Sequence, residues 1–189
     1  MKRFYVLLSQ CFNHQSFNDL KMNTKCYSKI QLTWLIILRL FIGWHFLYEG
    51  AVKIMNPTWT SLPYLLDSQG FASSFFVKLT QNAGMMDIIN LANEWALLLI
   101  GLALIVGCFT RLACVGGMIL LFMYYLSHPS FIGASYMMPF EGSYLWIDKN
   151  LIELAALGVL VVFPTSQIIG IDRLLVRIMP ASIRKLKLN

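Results

Sequence analysis

Four ionisable side chains stand inside one long apolar segment, RLFIGWHFLYEGAVK, which runs from Arg39 to Lys53. Arg39, His45, Glu49 and Lys53 interrupt what otherwise reads as a membrane-crossing helix. With His45 at zero and about 100° per residue, Glu49 falls near about 40°, Lys53 near about 80° and Arg39 near about 120°. All four therefore share one side of the helix. A charge inside a bilayer costs roughly 2.5–3.5 kcal/mol on insertion scales, so it normally faces protein or a wet cavity and marks function.

Composition supports the membrane reading. The chain has 189 residues, 58% hydrophobic and 13% charged, where a soluble domain carries about a quarter charged residues. One domain is the expectation for this length. Net charge is +6, and the basic residues are unevenly placed. Eleven of the fifteen Lys and Arg precede the first apolar segment, follow the last, or sit at Arg111 between the second and third. That bias predicts both termini in the cytoplasm. Because topology accounts for the charge, no nucleic-acid partner is expected; the expected partner is the lipid bilayer.

Cysteine and histidine chemistry is sparse. Cys11, Cys26, Cys108 and Cys114 form no CxxC pair and have no His at zinc spacing, so they read as inert thiols. The histidines, His14, His45 and His128, are scattered and there is no HExxH, so no metal site is expected. No phosphate-binding glycine loop or nucleophile elbow occurs, and no nucleotide is expected.

The expected fold is all-α, an integral membrane four-helix bundle with short interfacial helices in the outer loops. Its spans are placed at 31–55, 88–109, 112–126 and 148–163, with Asn56-Pro57 and Pro164 as terminators. Residues 57–87 mix Pro and Gly with aromatics such as Trp59, Tyr64 and Phe71, which suits short helices at the interface. Domain organisation is an N-terminal cytoplasmic extension over 1–30, a membrane domain over 31–172 and a basic cytoplasmic tail over 173–189. Met22 offers an alternative start within the extension. Small residues at Ala103/Gly107 and Ala113/Gly117 read as packing notches.

The candidate site lies in the outer half of this bundle. His45 and Glu49 are the candidate catalytic pair, because a His and a carboxylate can pass protons between a buried substrate and water. Arg39, Trp44, Tyr48, Lys53, Glu94, Trp95 and Glu153 are the candidate pocket residues; the aromatics would supply flat walls for an aromatic or quinone ring. Plainer roles stand beside these. Glu49 and Lys53 form an i,i+4 pair, Lys53 can snorkel, and Arg39, about 21 Å from Lys53, can clamp a carbonyl or a lipid phosphate on the inner side. Glu94 and Glu153 can serve as acids at helix starts, and His128 before Pro129 as a packing residue.

RLFIGWHFLYEGAVKI resembles the first-helix signature of the DoxX/DoxD family, four-helix membrane proteins that include the membrane subunit of thiosulfate:quinone oxidoreductase. The resemblance continues through GLALIVGCFTRLA (Gly101–Ala113) and DKNLIELAALGVLVVFP (Asp148–Pro164), covering about residues 32–173. It places Arg39, Gly43, His45, Phe46, Glu49, Gly50 and Lys53 on family motif positions, with Gly101, Gly107, Arg111, Asn150 and Glu153. Without CxxC the chain differs from the vitamin K reductase-like four-helix enzymes. The resemblance implies a bacterial inner-membrane redox subunit that interacts with quinone as acceptor. A small sulfur-oxidising or other redox subunit is then the implied partner, and an all-α bundle of this length could also pair with a second copy of the chain. The competing expectation is a non-catalytic bundle acting as a small-solute transporter or scaffold.

Overall fold

The computed structural model describes residues 27–131, 135–137, 145–166 and 168–173. The N-terminal extension as far as residue 26, with His14, Cys11, Cys26 and the alternative start Met22, lies outside the described residues. So do Met138, Glu141 and Tyr144 of the second loop and the tail beyond Arg173. Among the described residues every regular element is a helix: α1 (Lys29–Met55), α2 (Leu62–Leu66), α3 (Ser73–Leu79), α4 (Ala83–Val106), α5 (Thr110–Ser127) and α6 (Lys149–Val162).

The helix boundaries follow caps more closely than hydropathy. Ser28 and Gln31 close a capping box, Gln31 N donating to Ser28 Oγ at 3.2 Å and Ser28 N to Gln31 Oε1 at 2.9 Å. This starts α1 at Lys29, two residues before its apolar run. Asn82 accepts from Met85 N at 3.2 Å, so α4 begins at Ala83, five residues ahead of the expected Ile88. Asp148 accepts from Leu151 N at 2.9 Å and starts α6. At the other end of α4, Gly107 adopts φ +71° and closes the helix; any side chain there would also strike Gly170.

Helices α1, α4, α5 and α6 pack as an up-down-up-down bundle, α1 against α4, α5 against α6 and α4 against α5, while α1 and α6 meet only briefly. Three of them, α1, α4 and α5, are long and apolar enough to cross a membrane. The fourth, α6, has 14 residues and extends about 21 Å at 1.5 Å per residue, against a hydrocarbon core of about 30 Å. We refer to the end holding Met55, Ala83, Ser127 and Lys149 as the upper end and the opposite end as the lower.

The main core joins Ile42 and Phe46 of α1, Leu97, Ile100 and Leu104 of α4, Cys114 and Leu121 of α5, and Leu157 and Leu160 of α6. Glycine permits the closest approach. A Cβ on Gly50 would meet the Leu98 backbone and one on Gly101 the Leu47 backbone, so α1 and α4 touch main chain to main chain. The tightest notch therefore lies at Gly43, Gly50 and Gly101. Gly117, one of the expected notches, instead receives Leu157 and Phe46 side chains. A smaller cluster at the upper end packs Leu65 of α2 and Phe76 of α3 on Met86 of α4. It roofs the bundle with the two short helices.

Candidate functional site

Burial of Ile42, Gly43, Phe46 and Gly50 fixes the rotation of α1. His45 and Glu49 are thereby turned to the flank, towards the seam with α6. There His45 Nδ1 lies 2.9 Å and 3.0 Å from the two carboxylate oxygens of Glu153, a residue one turn into α6. An ionised carboxylate only accepts, so Nδ1 carries the hydrogen and Nε2 is left for another partner. The burial is lopsided: the Glu153 side chain is 12% exposed and the His45 side chain 44%. Glu49 and Lys149 are close enough to act on the imidazole electrostatically. Trp44 and Tyr48, on the same stretch of α1, are exposed on its outer surface. They do not line an enclosed cavity.

Lys53 points elsewhere. Its ammonium lies 3.6 Å from Glu49 Oε2, 3.4 Å from Asn93 Oδ1, and over the rings of Trp59 and Tyr124 at 5.2 and 5.8 Å. Asn93 also donates from Nδ2 to the Tyr124 hydroxyl at 2.6 Å, which ties α4 to α5 beneath it. Glu94 is half-buried and acts on Lys53 through space. It stands about three turns into α4, so the helix-start role does not apply to it. Trp95 is exposed on α4. One continuous pocket is thus replaced by two adjoining clusters, with Glu49 between them.

Arg39 belongs to neither. It is 3% exposed near the lower end, where Nη1 donates to Thr165 Oγ1 at 3.2 Å and to the Ile169 carbonyl at 3.0 Å. Asp172 on the same returning segment accepts from the Phe109 and Thr110 amides at 2.9 and 3.3 Å. That satisfies the first turn of α5, which Phe109 enters in the left-handed conformation, φ 51°. Arg39 and Asp172 therefore fasten the segment after α6 to the α4–α5 turn. The clamp on a carbonyl is the role its geometry fits, and it does not reach the clusters around His45 and Lys53.

The structure also assembles a cluster that sequence reasoning left dispersed. His128, 5% exposed, stacks on Tyr64 at 3.8 Å and 22° and lies against Tyr136 at 4.6 Å and 35°. Asp67 Oδ2 is 3.9 Å from its Nε2. Burial holds the His128 proton affinity below the ordinary imidazole value, with Asp67 offsetting part of the effect, and burial pushes the Tyr64 and Tyr136 phenols up. The only sequence sign was a His before Pro129 at a helix end. Tyr64 and Asp67 lie some sixty positions back in the chain and Tyr136 beyond a proline turn, and no spacing announces them.

Among the described residues no group of three or more His, Cys, Asp or Glu is placed to hold a metal ion. What remains is a class: an apolar helical bundle with a histidine–carboxylate pair across one seam and a caged lysine beside it. The family model for DoxX matches residues 34–129, and the chain belongs to the DoxX family. It is accordingly an integral membrane protein. The matched segment covers most of α1 and all of α2 to α5, carrying His45, Glu49 and Lys53; Glu153 lies beyond it. No curated protein and no solved structure matches the chain.

Proposed function

We propose that this chain is a quinone-interacting subunit of a membrane redox system, with the quinone headgroup at the α1–α6 seam. The observation that carries the reading is the His45–Glu153 pair: a half-exposed imidazole backed by a buried carboxylate at bonding distance. Reducing a quinone to a quinol takes two electrons and two protons. Proton transfer needs a positioned group whose affinity lies near neutrality, and His is the side chain that meets this. Glu153 fixes the ring through Nδ1 and balances the imidazolium. Nε2 is then the atom that bonds a quinone oxygen.

Glu49, one turn towards the upper end and half-exposed, returns protons between His45 and water. Lys53 tunes Glu49. Trp44 and Tyr48 offer flat surfaces on the lipid side, from which an apolar quinone arrives. The electrons come from a separate donor subunit, for which thiosulfate oxidised to tetrathionate is the proposed source.

The test is reduction of a soluble benzoquinone analogue by the protein in nanodiscs, with thiosulfate and any co-purifying partner. The reading expects turnover that His45→Ala abolishes. Unchanged turnover in that variant overturns the role of His45. Failure of any quinone to bind the unaltered protein overturns the reading, in favour of a non-catalytic transport or scaffold bundle.

A further inference from the structure

The upper-end cluster has no part in that chemistry, and its geometry is unusual for a packing histidine. The His128 ring is sandwiched between Tyr64 of α2 and Tyr136 of the segment after α5. Nδ1 is 3.1 Å from Ser127 Oγ, but Nε2 is buried with no hydrogen-bond partner. Its nearest carboxylate oxygen, Asp67 Oδ2 at 3.9 Å, is beyond hydrogen-bonding range. That same oxygen is already engaged, accepting from Met137 N at 2.7 Å. Asp67, at the end of α2, therefore stands between His128 and the Tyr136–Met137 segment.

We propose that Tyr64, Asp67, His128 and Tyr136 form an acid-opened clasp, in which a proton added to His128 parts Tyr136 and Met137 from α2. A neutral imidazole fits the sandwich. An imidazolium there has two ring faces and one distant, occupied carboxylate in exchange for its water shell, and burying a charge on those terms is unfavourable. The direction of the His128 shift agrees, with burial outweighing Asp67.

Among the described residues the surrounding groups offer no better counter-ion. Facing the sandwich from α2 are Tyr64 and Asp67, and from the second loop Tyr136. From α5, Tyr124 packs edge-on against Tyr64 at 6.1 Å. At the start of α6, Asp148 acts on Tyr64, but its oxygens are held by Leu151 N at 2.9 Å and Asn150 Nδ2 at 2.7 Å.

The sign follows from linkage. The open imidazole binds protons with its ordinary affinity and the closed one more weakly. Acidification through the ordinary histidine range, near about pH 6.5, therefore favours the open form. Opening loosens Tyr64, which donates its hydroxyl to the Tyr124 carbonyl at 3.3 Å. The acid signal thus reaches the ring that faces Lys53. The clasp stands independently of the quinone reading.

The experiment is hydrogen exchange of the full chain in nanodiscs, resolved to the Met137 and Gln69 amides. Met137 donates to Asp67, and Gln69 donates to the Ser127 carbonyl at 3.1 Å. Rates are corrected for the intrinsic effect of pH. Between about pH 7.5 and about pH 5 we expect protection at both amides to fall about tenfold. His128→Phe keeps a ring in the sandwich but takes no proton, and its protection stays flat. Asp67→Asn keeps the acid response and enlarges it, since the closed imidazolium loses its nearest anion. Flat protection in the unaltered protein overturns the clasp. So does an equal loss in His128→Phe, or disappearance of the response in Asp67→Asn.

Discussion

His45 and Glu153 are separated by 108 positions in the chain, yet the imidazole Nδ1 of one lies within 3.0 Å of both carboxylate oxygens of the other. The pair spans the α1–α6 seam, the most lightly packed of those between neighbouring long helices. If it handles protons for a quinone, Glu153→Gln preserves a hydrogen-bonded partner for His45 while removing the charge that balances an imidazolium. Turnover should fall about 10²–10³-fold, as for loss of a positioned acid–base group. Quinone affinity, read by quenching of Trp44 fluorescence, should change much less. Adding His45→Gln to that variant should cost little more, because the two side chains act as one unit.

Arg39 should behave as a fastener. Arg39→Met removes the donor to Thr165 and Ile169 and leaves the Thr165 hydroxyl buried and the Ile169 carbonyl part-buried. A loss of about 1–3 kcal/mol for the orphaned groups is expected, seen as a lower unfolding midpoint in detergent. Turnover per folded molecule should be unaltered. A variant that stays folded but loses turnover would return Arg39 to the site.

Legibility in the sequence was uneven for identifiable reasons. The apolar runs bounded by Asn56-Pro57 and Pro164 were enough to place the four main helices, because both hydropathy and proline act locally. Boundaries slipped by two to five residues where a cap, Ser28 or Asn82, rather than hydropathy decides the first turn. The charged stripe on α1 was visible, and so was the separate depth of Arg39, but the parting of His45 from Lys53 was not. Lys53 turns to α4 and α5, His45 to α6 and Arg39 to the segment after α6; each choice depends on a partner 40 to 130 positions away. His128 shows the same limit, since only the packed chain brings Tyr64 and Tyr136 to its two faces.

The main-chain contact between α1 and α4 makes a comparison of two glycines informative. At Gly101 an added methyl meets the backbone of Leu47, which cannot yield without separating the helices. Gly101→Ala should destabilise the bundle by about 1–3 kcal/mol through overpacking. At Gly116 the same methyl meets only the Ile100 side chain, at 3.5 Å. There alanine removes the conformational freedom of glycine in mid-helix, a gain of up to about 1 kcal/mol. Thermal unfolding of the two variants should therefore shift in opposite directions, and a shared direction would refute the close approach.

Lys53 provides the sharpest separation of structure from chemistry. Its ammonium balances Glu49 and rests on Trp59 and Tyr124. Lys53→Met keeps the apolar stem and deletes the charge, leaving Glu49 without its cation and Asn93 Oδ1 without its donor. Glu49 is 47% exposed, so water offsets part of the loss and the expected cost is about 1–2 kcal/mol. Trp59 emission should shift as the cation leaves its face. Adding Glu49→Gln removes the unbalanced carboxylate and should restore part of the lost stability, which a double-mutant cycle measures directly. Additive losses in that cycle would mean that Lys53 and Glu49 are not coupled. Recovery of stability without recovery of turnover would assign Glu49 to proton exchange and Lys53 to its support.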